Sequence, residues 1–166
     1  MTDREKLILR ARHLLRGVTP TADDCGCRCG KRCCSGDEET GMYVFPGEER
    51  FLRGEKDLVL HPGEPAVAVC RGVCSRAGRP LACMIFPYLP AVLPDGSCAV
   101  LPDLRAYTIC PLLRDAAPPS PLFMRRLHTA ARLLARDETL RAFLGMLYEE
   151  NRDAARLLAS FTEAKN

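Results

Sequence analysis

The sequence predicts an α+β fold, in which an irregular cysteine-rich centre with short strands lies between an N-terminal helix and a C-terminal helical pair. Apolar residues recur at helical spacing near both ends of the 166-residue chain. All ten cysteines lie between Cys25 and Cys110, where short apolar runs alternate with turn residues. We therefore expect a single domain over residues 1–166, made of an N-terminal helix (1–20), a cysteine-rich module (21–115) and C-terminal helices (119–166).

The N-terminal helix is predicted over residues 3–16 because Ile8, Ala11 and Leu15 fall on one helical face. Gly17 suits the C-terminal end of this helix. We expect the helix to pack on the rest of the domain, and the alternative is a free helix that binds another surface.

The C-terminal part carries start signals for two helices. Ser120 and Pro121 are the residue types of an N-cap and a first helical position. Asp137 can cap a second helix, whose apolar pattern either continues through Phe161 or breaks near Asn151.

Short strands are predicted inside the cysteine-rich module. Met42–Phe45 and Ala66–Val69 are predicted as strands, and Asp95-Gly96 is predicted to turn a hairpin. Glu48 and Glu49 suit the N-terminus of a helix, with a catalytic carboxylate pair as the alternative.

Composition narrows the classes of function. The formal net charge of +3 is too small to predict nucleic-acid or membrane binding by itself. The charged N-terminus is unlike a secretory signal, and no apolar run reaches the roughly 18 residues of a membrane span. We therefore expect a cytoplasmic protein with no membrane partner and with reduced cysteines. At this density, reduced cysteines favour bound metal over a disulfide framework, a redox switch or inert buried thiols.

The cysteine spacing excludes two common motifs. The cysteines occur as C-x-C-x-C-x3-C-C from Cys25 to Cys34 and as C-x3-C-x8-C from Cys70 to Cys83, with Cys98 and Cys110 beyond. No C-x-x-C occurs, which excludes the thioredoxin-like dithiol and the commonest zinc-knuckle spacing. Thiolate ligands favour zinc, cuprous copper or iron as a sulfide cluster.

The first cysteine group lies in residues 23–36, which carry no apolar periodicity and are expected to form a loop shaped by its ligands. Gly26 and Gly30 suit the positive φ angles that such a turn requires. Arg28, Lys31 and Arg32 are expected to lower the pKa of the neighbouring thiols and to offset thiolate charge.

Five motifs carry a family resemblance. They are Cys25-Gly26-x2-Cys29-Gly30-x2-Cys33-Cys34, Gly41-Met42-x2-Phe45-Pro46-Gly47-Glu48-Glu49, Cys70-x3-Cys74-x-Arg76-x2-Arg79-Pro80-Leu81-x-Cys83-x2-Phe86-Pro87, Asp103-x-Arg105-Ala106 and Cys110-Pro111-Leu112. In combination, over residues 23–113, they resemble the YkgJ-type family of zinc- or iron-chelating cysteine cluster proteins. The family commonly has arginine at the position of Met84.

The resemblance implies a metal site with eight cysteine ligands. The implied ligands are Cys25, Cys29, Cys33, Cys34, Cys70, Cys74, Cys83 and Cys110. Cys27 and Cys98 are additional to the pattern, and Arg79 is expected to bond either a sulfur or a carboxylate, or to form an ordinary surface ion pair. His61, which precedes the second cysteine group, is a further candidate ligand.

Three functions are compatible with these residues. The favoured one is a cytoplasmic metal-binding protein that holds zinc, or an iron or iron–sulfur centre, in a structural or metal-handling role without catalysis. The second is an iron–sulfur-dependent redox or protein-modifying enzyme component, by similarity to cysteine-rich regions of bacterial protein lysine N-methylases. Against it, the chain has no nucleotide-binding glycine motif and no C-x3-C-x2-C radical motif. The third is a zinc-stabilised interaction or nucleic-acid-binding module, which the lack of aromatic residues among the basic ones disfavours.

Overall fold

The computed structural model describes residues 1–21, 26–34, 41–72, 75 and 78–163. Within these ranges the helices are α1 (Asp3–Leu15), α2 (Gly26–Cys29), α3 (Glu49–Leu52), α4 (Leu81–Ile85), α5 (Pro111–Arg114), α6 (Pro121–Leu134) and α7 (Glu138–Glu163). The strands are β1 (Met42–Tyr43), β2 (Leu58–His61), β3 (Val67–Cys70), β4 (Tyr88–Val92) and β5 (Cys98–Pro102), and single 3-10 turns cover Arg32–Cys34 and Leu104–Ala106. This arrangement of helices and small antiparallel sheets confirms the predicted α+β fold.

Helix α1 begins at a capping box. The Thr2 hydroxyl accepts a hydrogen bond from the Glu5 backbone N–H (3.2 Å), and the Glu5 carboxylate accepts one from the Thr2 N–H (2.7 Å). Gly17 follows the last turn with φ of +76°, a conformation that glycine adopts without strain. Ile8 and Leu15 are buried where α1 packs on α6, which confirms the predicted helix and its packing on the domain.

The main core lies between α1, α6, α7 and the hairpin of β4 and β5. The fully buried side chains at its centre include Phe123, Leu127, Leu134, Leu140 and Leu144. These residues form the apolar stripes of α6 and of the first half of α7. Burial of that surface, rather than local helix propensity, therefore stabilises the C-terminal helices.

Both C-terminal helices start at the predicted caps. The Ser120 hydroxyl accepts a hydrogen bond from the Phe123 N–H (3.5 Å), and the Asp137 carboxylate accepts one from the Leu140 N–H (3.0 Å). Each cap satisfies a backbone donor that has no partner inside its own helix.

Helix α7 continues through Asn151 without a break, so the longer of the two predicted alternatives is correct. The Asn151 side chain is buried, accepts a hydrogen bond from the Leu104 N–H (2.9 Å) and donates one to the Pro102 carbonyl (3.1 Å). This asparagine therefore joins α7 to the end of β5 instead of ending the helix. No helix in the described ranges, α7 included, has both the length and the apolar composition that crossing a membrane requires.

The predicted hairpin is present, with Val92 of β4 paired to Cys98 of β5. Gly96 lies in its turn with φ of +83°, and the Asp95 carboxylate accepts a hydrogen bond from the Ser97 N–H (2.9 Å). The second sheet has the strand order β1-β3-β2 and pairs Leu58 with Cys70. It covers a small core of its own, which contains Val44, Leu52 and Ala68.

Strand β2 and helix α4 are not predicted from the sequence. Strand β2 has only three apolar residues, Leu58–Leu60, lies at the edge of its sheet and follows an acidic stretch. Helix α4 has five residues, too few to show helical periodicity. In the described part of residues 23–36, the expected loop contains two short helical turns, α2 and the 3-10 turn at Arg32–Cys34.

Two leucines on α7 test the position of the core. Leu144 is 0% exposed and Leu157 is 59% exposed. Leu144→Ala leaves a cavity and should lower the free energy of unfolding by roughly 3 kcal/mol. The matched control Leu157→Ala removes the same atoms at the surface and should change it by less than about 0.5 kcal/mol. Urea unfolding followed by circular dichroism measures both, and equal losses would contradict this core.

Candidate metal centre

Six of the eight implied ligands lie in the described ranges, and they come from four separated parts of the chain. The first part consists of α2 and the 3-10 turn that follows it, and the others are the end of β3, helix α4 and the residue directly before α5. The six cysteines are Cys29, Cys33, Cys34, Cys70, Cys83 and Cys110. The other two, Cys25 and Cys74, lie outside the described residues.

A left-handed turn reverses the chain between the first thiols. Gly30 and Lys31 have φ angles of +62° and +58° in succession. The Lys31 N–H donates to the Gly26 carbonyl (3.1 Å), and the Cys34 N–H donates to the Lys31 carbonyl (2.7 Å). The positive φ predicted for Gly30 is confirmed, whereas Gly26 begins α2. Because Lys31 carries a side chain, its left-handed backbone is strained, and the turn keeps Cys29 near the thiols that follow it.

Cys33 and Cys34 act as a pair, with their Sγ atoms 4.0 Å apart. The hydrogen bond to Cys34 and burial raise the pKa of Cys33. The hydrogen bond from Cys33 lowers the pKa of Cys34 to about 6 against the opposing effect of burial, and the positive charges of Arg79 and Lys31 lower it further. Cys34 is therefore the thiol of this pair that ionises first, and the predicted effect of Lys31 on a neighbouring thiol is confirmed.

The other described thiols interact with this pair. The charges of Cys29 and Cys83 also raise the pKa of Cys33. A hydrogen bond from Cys70 helps to lower the pKa of Cys34. Burial raises the pKa of Cys110, and the charge of Cys29 adds to that rise. The fold therefore brings these thiols into one neighbourhood, which we call the thiol cluster.

The remaining candidates lie apart from the thiol cluster. Cys98 packs against the main core from β5, and the side chain of Cys27 lies outside the described residues. His61 is exposed and pairs with Val67, three residues along β3 from Cys70, a separation of about 10 Å along the strand. Within the described ranges, no set of three or more histidine, cysteine, aspartate or glutamate side chains is spaced to hold a metal ion.

A buried ion pair fixes the segment that leads into α4. Glu48 is 0% exposed and accepts hydrogen bonds from the Arg12 guanidinium of α1 and from the Leu81 N–H (2.7 Å). Arg12 also donates to the Arg79 carbonyl (2.8 Å). These contacts join α1 and the residue before α3 to the first turn of α4. They therefore set the position of Cys83.

A second polar network holds the segment that precedes Cys110. The Arg105 guanidinium donates two hydrogen bonds of 2.9 Å to the Asp103 carboxylate and one of 2.6 Å to Glu150 of α7. It also lies over the Tyr43 ring, 5.5 Å from the centroid, and the Tyr43 hydroxyl donates to Glu150 (3.1 Å). The Asp103 and Arg105 motif therefore anchors the chain between β5 and Cys110 to α7 and β1.

Sequence reasoning missed the distant partners in both networks. Glu48 precedes α3, as predicted, but its side chain binds Arg12 instead of capping the helix. A signal existed, because Arg12 lies four residues after Ile8 on the buried face of α1, where an unpaired charge is costly. Glu150 carried no comparable signal, because it lies among other charged residues of α7.

The donor set of the thiol cluster suits a soft or borderline metal ion. Thiolates are preferred ligands of zinc, cuprous copper and iron–sulfur clusters. Arg79 and Lys31 supply positive charge beside Cys34, which offsets part of the negative charge of a multi-thiolate site. In donor type, though not in the spacing of the described side chains, these residues suit the metals that the sequence predicts.

Comparisons of the chain with known protein families, with curated proteins and with solved structures give no match. The resemblance to YkgJ-type proteins stays a prediction from the motifs.

Arg79 tests the electrostatics of the thiol cluster. Arg79→Gln removes one of the charges that lower the pKa of Cys34, so that pKa should rise toward the ordinary value of a cysteine. The pH midpoint of Cys34 alkylation by iodoacetamide, mapped by mass spectrometry in the presence of a chelator, should therefore shift upward. The matched control Arg53→Gln alters an exposed arginine and should leave the midpoint in place. An unchanged midpoint in Arg79→Gln would show that this charge does not act on Cys34.

The pH dependence of stability tests the buried ion pair. Burial raises the pKa of Glu48 from 4.5 to about 7, while Arg12 and the Leu81 N–H act in the opposite direction. At pH values between 4.5 and about 7, Glu48 is more often protonated in the folded chain than in the unfolded chain. Its contribution to the free energy of unfolding therefore falls as the pH rises through that range. The wild type should therefore lose more stability between about pH 5 and about pH 8 than Glu48→Gln does. Urea unfolding across that range measures the difference, with Glu138→Gln as the exposed control, and parallel profiles for the wild type and Glu48→Gln would refute it.

Proposed function

We propose that this chain is a metal-binding protein that coordinates zinc, or an iron or iron–sulfur centre, through its clustered cysteines, in a structural or metal-handling role. One observation carries the proposal: thiols from four separated segments lie close enough to shift one another's pKa, with Cys70 and Cys83 acting on the pair of Cys33 and Cys34, and Cys29 acting on Cys110. Thiols that are reactive and close together are the usual ligands of structural zinc and of iron–sulfur clusters.

The charge balance of the cluster supports bound metal. The proximity of the other thiols raises the pKa of Cys33, because each additional thiolate repels those already present. A divalent cation reverses this effect, since a coordinating thiol loses its proton to the metal. In the proposed function, the eight implied ligands hold the metal, and Cys25 and Cys74 complete the set.

The surrounding structure supports a site that the fold holds in place. Cys83 and Cys110 follow segments fixed by the two polar networks, and Cys70 ends a paired strand. The described part of the first cysteine group, residues 26–34, lies in short turns with no fully buried side chain in the 3-10 turn. In the proposed function, metal binding supplies the free energy that orders this group, on the order of 10 kcal/mol for a structural zinc site.

The motifs that resemble the YkgJ-type family point to the same function. In the structure, Asp103 and Arg105 position the segment before Cys110, and Glu48 positions the segment before Cys83. Residues of the resemblance that carry no thiol therefore support the residues that do, as expected if the motifs form one site.

Metal analysis of anaerobically purified protein tests the proposal. Elemental analysis with a visible spectrum should show zinc in a colourless sample, or iron with absorption near about 400 nm that bleaches on reduction. Cys29→Ser and Cys83→Ser each remove a thiol of the cluster and should lose most of the bound metal.

Cys98→Ser is the matched control, because Cys98 is also half-buried but packs against the main core. It should retain the metal content of the wild type. Metal-free wild-type protein with a native fold, or equal metal loss in Cys98→Ser and Cys29→Ser, would rule the proposal out.

A further inference from the structure

A groove between α1 and α6 takes no part in the proposed metal site. It has a volume of about 650 Å³. Leu9, Leu14 and Leu133 form its apolar floor. Arg10, Arg132 and Arg136 form its basic rim. We call it the basic groove.

The rim arginines differ from other arginines nearby, which are engaged within the fold. Arg4 pairs with Asp137, Arg12 pairs with Glu48, and Arg126 donates to backbone carbonyls at the end of α1. By contrast, among the residues that the structure describes, no carboxylate lies within ion-pair distance of the three rim arginines. The described lining of the groove also contains no acidic side chain. The rim charge is therefore available to a ligand.

The combination of floor and rim defines the chemistry of that ligand. Leu9 is 37% exposed, and the apolar floor favours a ligand that buries apolar surface of its own. Arginine binds carboxylates with two parallel hydrogen bonds, so the rim favours acidic groups on both sides of that apolar surface. The ligand is therefore apolar on one face and acidic at its edges.

The shape of the groove favours a helical ligand. Arg132 lies in the last turn of α6, and Arg136 lies two residues beyond the end of that helix. A groove between two packed helices is a shape that receives the apolar face of an amphipathic helix.

We propose that the basic groove binds an acidic amphipathic helix of a partner protein. A nucleic acid fits less well, because the described lining has no phenylalanine, tyrosine or tryptophan for base stacking and its leucines give no contact to phosphate. A membrane surface fits less well too, because the apolar residues lie at the bottom of a concave surface. The charge complementarity of rim and ligand carries the proposal, which does not depend on the metal site.

Fluorescence anisotropy with the full-length, metal-loaded protein tests it. The probe is a labelled helical peptide of about 18 residues, with a leucine stripe flanked by glutamates at i, i+4 spacing. Arg132→Glu/Arg136→Glu reverses two rim charges and should weaken peptide binding at least about tenfold. Arg125→Glu/Arg156→Glu makes the same change in net charge at exposed arginines outside the groove. This control should weaken peptide binding less than about twofold.

Two further peptides separate the contributions of charge and apolar surface. Replacing the glutamates by lysines, or the leucines by serines, should abolish binding. Absence of binding by the acidic peptide, or equal weakening in both double variants, would overturn the proposal. Tighter binding of a duplex oligonucleotide or of phosphatidylserine vesicles, with the same sensitivity to the rim variant, would overturn it in favour of those partners.

Discussion

The proximity of thiols from separate parts of the chain is the constraint on which the proposed site depends. The hydrogen bond to Cys34 and burial raise the pKa of Cys33, and the charges of Cys29 and Cys83 add to that rise. The Sγ atoms of Cys33 and Cys34 are 4.0 Å apart, and the hydrogen bond between them lowers the pKa of Cys34. Arg79 and Lys31 compensate part of the remaining charge. In the proposed function a metal ion compensates the rest, which makes the thiol cluster a site and not only a group of nearby cysteines.

The scaffold around the cluster is stabilised by different interactions. Hydrophobic burial among α1, α6, α7 and the hairpin forms the main core, in which none of the six described cysteines of the implied ligand set takes part. Two polar networks connect this core to the cluster: Arg12 of α1 reaches the start of α4 through Glu48, and Glu150 of α7 holds Arg105. Breaking either network should therefore disturb the cluster more than the core.

The sequence predicts the helices at both ends well, because their signals are local. Ser120 and Asp137 cap the helices that they were expected to cap, and Gly96 turns the expected hairpin. Strand β2 and helix α4 escape prediction because their length and position depend on tertiary contacts. The spacing does not predict the proximity of Cys83 to Cys33 either, since 49 residues lie between them in the sequence. Only the family resemblance placed these two cysteines in one set.

The most direct measurement of the central claim is X-ray absorption spectroscopy of the purified protein at the zinc and iron edges. The account predicts a metal whose nearest neighbours are sulfur atoms, at about 2.3 Å if the metal is zinc. A first shell made only of nitrogen and oxygen, or no metal absorption in well-folded protein, would contradict it.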